Sequence, residues 1–93
     1  MRQVQKGDLS GPQIRAARSL LGWTAEELSR QSAVSLRTIR RAELAGHDTS
    51  LTSANALAIR RALEAAGVAI IDENGGGPGV RLRKRLRTKA SIR

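Results

Sequence analysis

The stretch TAEELSRQSAVSLRTIRRAELAG, residues 24–46, decides the fold of this chain. Its first half opens with Thr24, a residue type that caps helix N-termini. Its second half opens with another such residue, Ser35, after the pattern breaks at SAVS. The sequence therefore predicts one helix over 25–32 and a second helix over 36–45, joined by a tight turn.

Further helices are predicted on both sides of this stretch. Gly11-Pro12 suits a helix start, and apolar residues spaced by three and four predict a helix over 12–21 that ends at Gly22. After residue 46 comes a polar loop in which Asp48, Thr49 and Ser50 are equally good caps for the next helix. The longest helix is predicted over 51–66, capped by Gly67, with an apolar stripe formed by Leu51, Ala54, Leu57, Ala58, Ala62 and Leu63.

The pattern changes from helical to extended after residue 67. Residues 68–71 are a β-rich run, ENGGGPG has the composition of a turn, and residues 80–83 alternate with period two. We therefore predict a mainly α fold. It is a compact bundle of four to five helices with a helix-turn-helix, followed by a C-terminal β-hairpin and a basic disordered tail.

Most of the net charge of +9 lies at one end of the chain. Residues 81–93 carry seven of the 17 basic residues and none of the 8 acidic ones. Residues 1–80 therefore hold ten basic and eight acidic residues, a net charge of only +2. A basic excess favours a polyanionic partner, nucleic acid first and an anionic membrane surface second. The tail is either a solvated end or a source of added phosphate contacts.

Several classes of function are excluded by what the sequence lacks. The chain has no cysteine and no apolar run near the roughly 18 residues of a membrane span, so we expect a cytoplasmic protein without membrane association. The chain has no second histidine and no cysteine to join His47, which has only Asp48 nearby, and GGGPG lacks the helix and lysine of a phosphate-binding loop. No nucleophile–base pair or carboxylate dyad occurs at useful spacing. We therefore expect no metal, no cofactor and no enzymatic activity.

Two short helices joined by a turn of three or four residues have the spacing of a helix-turn-helix, whose second helix enters the major groove of DNA. In the helix over 36–45, Arg37, Arg40 and Arg41 share one side, whereas Ile39 and Ala42 turn inward. An arginine fork is the commonest specific reader of guanine. The alternative is that these arginines form only a solvent-exposed face and bind no ligand.

The order of elements from residue 14 to residue 46 resembles the XRE family, the Cro and phage-repressor type of helix-turn-helix regulator. The resemblance is carried by IRAARSLLGW, TAEELS and AVSLRTI and by the spacing of Arg18, Leu21, Leu28, Val34, Ile39 and Glu43. Two positions depart from the family, which usually has alanine at Ser29 and glycine at Ala33. A left-handed turn residue costs alanine about 1 kcal/mol relative to glycine.

The resemblance implies roles for individual residues. In the helix over 36–45, base edges would be contacted by the first residues and by those one helical turn further on. These residues are Leu36, Arg37, Arg40 and Arg41. Leu36 stands where many relatives have a polar residue, so a thymine methyl is its expected contact. Phosphates would be bound near helix N-termini by Thr24, Ser35 and Thr38. The family pairs an arginine with the closing glutamate, so Arg18 and Glu43 are the predicted structural salt bridge.

The predicted organisation is a flexible arm over 1–11, a helix-turn-helix DNA-binding domain over 12–67, the hairpin over 68–83 and a basic tail over 84–93. One recognition helix reads few base pairs, so a homodimer on a near-palindromic operator is expected. Either the hairpin dimerises or it packs on its own helices. If it dimerises, its dimerisation residues would be Val68, Ile70, Ile71, Val80 and Leu82.

The function predicted first is a sequence-specific double-stranded DNA-binding transcriptional regulator, a repressor. The alternative is an antitoxin-like module whose hairpin and tail bind a partner protein.

Overall fold

The computed structural model describes residues 9–72 and 74–83. In chain order, its elements are α1 (Gly11–Leu21), α2 (Ala25–Ser32), α3 (Leu36–Leu44), α4 (Ser53–Ala65), β1 (Val68–Ile71) and β2 (Gly79–Leu82). The described chain is thus mainly helical with one antiparallel two-stranded hairpin, as predicted. None of its helices is both long and apolar enough to cross a bilayer. The predicted tail over 84–93 and the first eight residues of the predicted arm lie outside the described residues.

The start of α1 differs from the sequence prediction because its capping box was missed. The Ser10 hydroxyl accepts a hydrogen bond from the Gln13 amide at 3.2 Å, and Gln13 Oε1 accepts one from the Ser10 amide at 2.9 Å. This reciprocal cap starts the helix at Gly11. Leu9 is also buried, so the predicted arm is wrong for its last three residues, which belong to the folded unit.

The prediction for α4 was wrong in its cap and only partly right in its buried face. Of the predicted stripe, Leu63 is buried and Ala58 and Ala62 pack against the core. Thr52 is the N-cap, and its hydroxyl accepts a hydrogen bond from the Asn55 amide at 3.0 Å. The buried face consists of Ala56, Ile59 and Leu63, whereas Leu57, predicted to be inward, is exposed. Both stripes fit the helical period. The choice between them is made by α2 and β1, which pack against α4 and whose placement the local sequence does not encode.

One core joins all four helices to the hairpin. Its largest fully buried side chains come from each helix and from β1: Ile14, Leu28, Ile39, Ile59, Leu63 and Val68. Helix α1 packs against α3 and both strands, and α4 packs against α2 and β1. Because the hairpin covers α1 and α4, it completes the core.

The predicted dimerisation face of the hairpin is turned toward the chain's own helices. Val68 and Ile70 are 0% and 8% exposed. They pair in register with Leu82 and Val80, which pack against the same core, and Ile71 is half-buried. A lone two-stranded hairpin needs a cover, and here α1 and α4 provide it. Of the two alternatives for the hairpin, the described residues therefore follow the packed one.

Two polar side chains fasten the hairpin to the helices, and the sequence analysis missed both. Gln13 Nε2 on α1 donates hydrogen bonds to the carbonyl oxygens of Ile71 at 3.0 Å and Gly79 at 3.1 Å. The Arg60 guanidinium on α4 donates to both oxygens of Asp72, at 3.0 and 3.4 Å. The hydrogen bond with Asp72 raises the pKa of Arg60 above its ordinary value, against the opposing effect of burial.

Candidate nucleic-acid interface

The connection between α2 and α3 is short and fixed by side-chain hydrogen bonds. Ala33 ends α2 in the left-handed region, at φ 63° and ψ 21°. The Ser29 hydroxyl donates to the Val34 carbonyl at 2.6 Å, and the Ser32 hydroxyl accepts from the Val34 amide at 3.2 Å. Val34 itself is buried. Ser29 thus has a defined task in the turn, which the sequence analysis recorded only as a departure from the family pattern.

Replacing Ala33 with glycine is expected to stabilise the protein. The left-handed conformation costs an alanine about 1 kcal/mol, and glycine adopts it freely. Part of the gain is lost to the larger conformational entropy of glycine in the unfolded chain. We therefore expect Ala33→Gly to raise the free energy of unfolding by up to about 1 kcal/mol in urea denaturation. A loss of stability would contradict the left-handed turn.

Helix α3 has one face in the core and one in solvent. Ile39 and Ala42 are fully buried, which fixes how the helix is rotated about its axis. Arg37, Arg40 and Arg41 are exposed on the other side. The buried and exposed residues of α3 are therefore those that the helical period predicted. Leu44 continues the exposed stripe one turn beyond Arg41 and is 86% exposed. Its spacing of three residues from Arg41 places it on this side of the helix, although no role was predicted for it.

Leu36 lies apart from the three arginines. It is half-buried and packs against the core cluster. Its position is three residues before Ile39, so it falls on the inward side of the helix. Because its side chain is used in packing, the predicted contact with a thymine methyl has no support from its placement.

The predicted phosphate-binding residues occupy two different electrostatic environments. The Thr24 hydroxyl accepts from the Glu27 amide at 3.0 Å, and the first turn of α2 carries two carboxylates, Glu26 and Glu27. The Ser35 hydroxyl accepts from the Thr38 amide at 3.2 Å, and the first turn of α3 carries no acidic residue. A phosphate is repelled by carboxylates and attracted by free helix amides. Ser35 and Thr38 are therefore better placed for phosphate than Thr24.

Helix α1 holds the C-terminal turn of α3 through three contacts. The Gly11 amide donates to the Gly46 carbonyl at 2.9 Å. The Arg15 guanidinium donates to the backbone carbonyl of Glu43. Arg18 pairs with the Glu43 carboxylate through two hydrogen bonds, Nε to Oε2 at 2.6 Å and Nη2 to Oε1 at 2.9 Å. The hydrogen bond from Arg15 satisfies one of the carbonyl groups that the end of α3 leaves without a partner. Together the three contacts fix the position of the α3 end against α1.

The ion pair of Arg18 and Glu43 lies at the edge of the core. The two side chains are 23% and 8% exposed. Arg18 Nη1 also donates to the Trp23 carbonyl at 2.8 Å, so its guanidinium links three segments of the chain. The hydrogen bond with Glu43 raises the pKa of Arg18 above its ordinary value, although burial alone would lower it.

A second ion pair joins α2 to α3 on the exposed side. Arg40 Nη2 donates to Glu26 Oε2 at 2.9 Å, and the two side chains are 59% and 52% exposed. Sequence reasoning missed this pair because the partners are fourteen residues apart and belong to different helices. Arg37 and Arg41 make no ion pair with the part of the chain that the structure describes. The three arginines therefore differ in their freedom to meet a ligand.

Comparisons with known proteins give no match. No protein-family model, no curated protein and no solved structure matches the chain.

Proposed function

We propose that this chain is a sequence-specific double-stranded DNA-binding transcriptional regulator, a repressor, and that α2 and α3 form its helix-turn-helix. The observation that carries the proposal is the exposed face of α3, on which three arginines stand with no part in the core. A helix of this kind fits the major groove, where arginine forks recognise guanine O6 and N7. The resemblance to the XRE family, drawn from the sequence, points the same way.

The charge distribution supports a local interface rather than a generally basic surface. Residues 1–80 have a net charge of only +2, so arginines grouped on one short helix are a large departure from their surroundings. Arg37 and Arg41 would read base edges. Ser35 and Thr38 would bind a phosphate at the start of α3 and set the depth of the helix in the groove.

A dimer on a near-palindromic operator completes the proposal. One short helix contacts few base pairs, and two copies about one helical turn apart double the number read. The apolar side of the hairpin packs against the core of its own chain, so the hairpin can contribute only its strand edges and its outer face to such a dimer. Burial of this apolar side also disfavours the antitoxin-like alternative, in which the hairpin must be exposed to bind a partner protein.

Selection of bound sequences from random duplex DNA tests the proposal directly. The full chain is incubated with the pool at about 150 mM salt, near physiological ionic strength, and bound duplexes are amplified over several rounds. A palindromic consensus is the expected result, because it reports sequence specificity and twofold symmetry together. If no sequence is enriched, the proposed function is wrong.

Replacing Arg41 is expected to remove discrimination at one or two positions of the consensus. An arginine bidentate to guanine contributes about 1–3 kcal/mol against a wrong base, which corresponds to roughly 5- to 150-fold in relative affinity. Arg41→Ala should lose this preference while its circular dichroism and unfolding midpoint stay unchanged, since the side chain is exposed. Arg61→Ala on α4, which also removes an exposed arginine, is the matched control and should keep the full consensus. Equal consensus sequences for both variants would contradict the assignment of Arg41.

A further inference from the structure

The three exposed arginines of α3 are not equivalent in position. Successive residues of a helix are about 100° apart, so Arg41 lies about 40° to one side of Arg37 and Arg40 about 60° to the other. That other side faces α2, because Arg40 pairs there with Glu26. A helix with its side chains is roughly 10–12 Å wide, and the major groove is about 12 Å wide. A side chain on the flank of α3 therefore meets the groove wall, where the phosphates lie.

An arginine on a groove wall binds every DNA sequence equally. Phosphate contacts position a protein on the duplex but carry no sequence information, and each one adds to non-specific affinity. Unpaired, Arg40 would be such a contact. In the folded chain its guanidinium is 2.9 Å from the Glu26 carboxylate. The flank thus combines a cation with a carboxylate that opposes a phosphate.

We propose that Glu26 is a specificity-determining residue of the DNA interface: by engaging Arg40, it prevents a sequence-independent phosphate contact and leaves readout to Arg37 and Arg41. This inference rests on the proposed function. It assigns Arg40, predicted from the sequence as a base reader, to the ion pair with Glu26. Glu26 is a positioning residue, since it acts on DNA through Arg40.

The test measures how affinity for a fixed duplex of arbitrary sequence falls with salt. The probe is a 24-base-pair mixed-sequence duplex, and binding is followed by fluorescence anisotropy between 50 and 200 mM KCl. Each neutralised phosphate steepens the log–log dependence by about 0.9. Glu26→Gln should therefore add about 0.9 to the slope, which is an extra loss of about 3.5-fold across this fourfold range of salt. At 50 mM KCl the variant should bind the mixed duplex more tightly than the parent chain.

Two further variants separate the ion pair from the loss of a charge. Glu27→Gln removes an equal charge from the same turn, but its partners are Arg30 and Gln31, so the slope should stay at the parent value. In Glu26→Gln/Arg40→Gln the freed cation is gone, and the slope should return to the parent value. Circular dichroism establishes that each variant is folded, which is expected because Glu26 and Arg40 are both exposed.

The outcomes distinguish this inference from the proposed function. Equal slopes for Glu26→Gln and Glu27→Gln would overturn the inference, and so would a steep slope that persists in the double variant. In both cases the parent chain still binds duplex DNA, and the proposed function stands. If the selection from random duplex DNA enriches no sequence, the proposed function falls and the inference falls with it.

Discussion

Gly11→Ala is expected to lower the free energy of unfolding by about 3 kcal/mol, the upper end of the range for overpacking. A Cβ atom at Gly11 would lie 2.7 Å from the Ala42 carbonyl oxygen and 2.9 Å from that of Glu43, and it would also collide with the Ala45 carbonyl. All three obstacles are backbone atoms of the α3 end, which no side-chain rotation can move aside. The backbone of α1 must therefore withdraw from α3. Withdrawal lengthens the hydrogen bond from the Gly11 amide to the α3 end.

Gly46→Ala is the matched control, since the two glycines are hydrogen-bonded to each other. A Cβ atom at Gly46 has no heavy atom within 4 Å. This substitution should leave stability within about 0.5 kcal/mol of the parent chain, as exposed positions generally do. Urea denaturation monitored by the fluorescence of Trp23 measures both changes. Equal midpoints for the two variants would mean that α1 does not approach α3 as closely as described.

A functional consequence distinguishes this defect from a general loss of stability. Withdrawal of α1 would shift α3, which carries the exposed arginines. At temperatures where Gly11→Ala is still folded, its affinity for the selected duplex should fall. Leu63→Ala removes a buried side chain of α4 and should also lower stability. The folded molecules of this variant should keep the parent affinity for the selected duplex.

The local signals in the sequence were sufficient for the elements around the turn. Thr24 and Ser35 cap α2 and α3 at the predicted positions, because capping depends on a side chain and an amide three residues apart. The period of 3.6 residues was likewise enough to orient α3, since Ile39 and Ala42 leave only one consistent face for the core. Information of this kind is contained in a few consecutive residues.

Contacts between distant segments were the main source of error. The buried face of α4 is selected by β1 and α2, and the local sequence allowed two overlapping apolar stripes that share Leu63. Gln13 was read as an ordinary polar residue of α1, although it bridges two carbonyls of the hairpin at separations of 58 and 66 residues. The ion pair between Glu26 and Arg40 has the same character. Each such contact depends on how complete elements dock, which periodicity along one helix does not report.

Breaking the ion pair of Arg18 and Glu43 is the second large expected effect. Arg18→Met and Glu43→Gln should each lower the free energy of unfolding by about 2–3 kcal/mol, somewhat less than for a fully buried pair because Arg18 keeps some solvent. The loss in each case reflects the partner left behind without a counter-charge. The double variant Arg18→Met/Glu43→Gln should lose no more than either single variant, since no uncompensated charge remains. Urea denaturation of the four proteins gives the coupling energy as a double-mutant cycle.

The pH at which this cycle is measured has little influence through Arg18. A raised pKa contributes stability that is fully present below the ordinary pKa of arginine and is lost as the pH rises through the raised pKa. The arginine therefore stays charged at every pH suited to the measurement. Arg30→Met provides a control, because it removes an exposed ion pair within α2 and should leave the unfolding midpoint unchanged. Additive losses in the cycle would show that Arg18 and Glu43 act independently. In that case the hold of α1 on α3 would depend on the close backbone approach at Gly11 and on the hydrogen bond from Arg15.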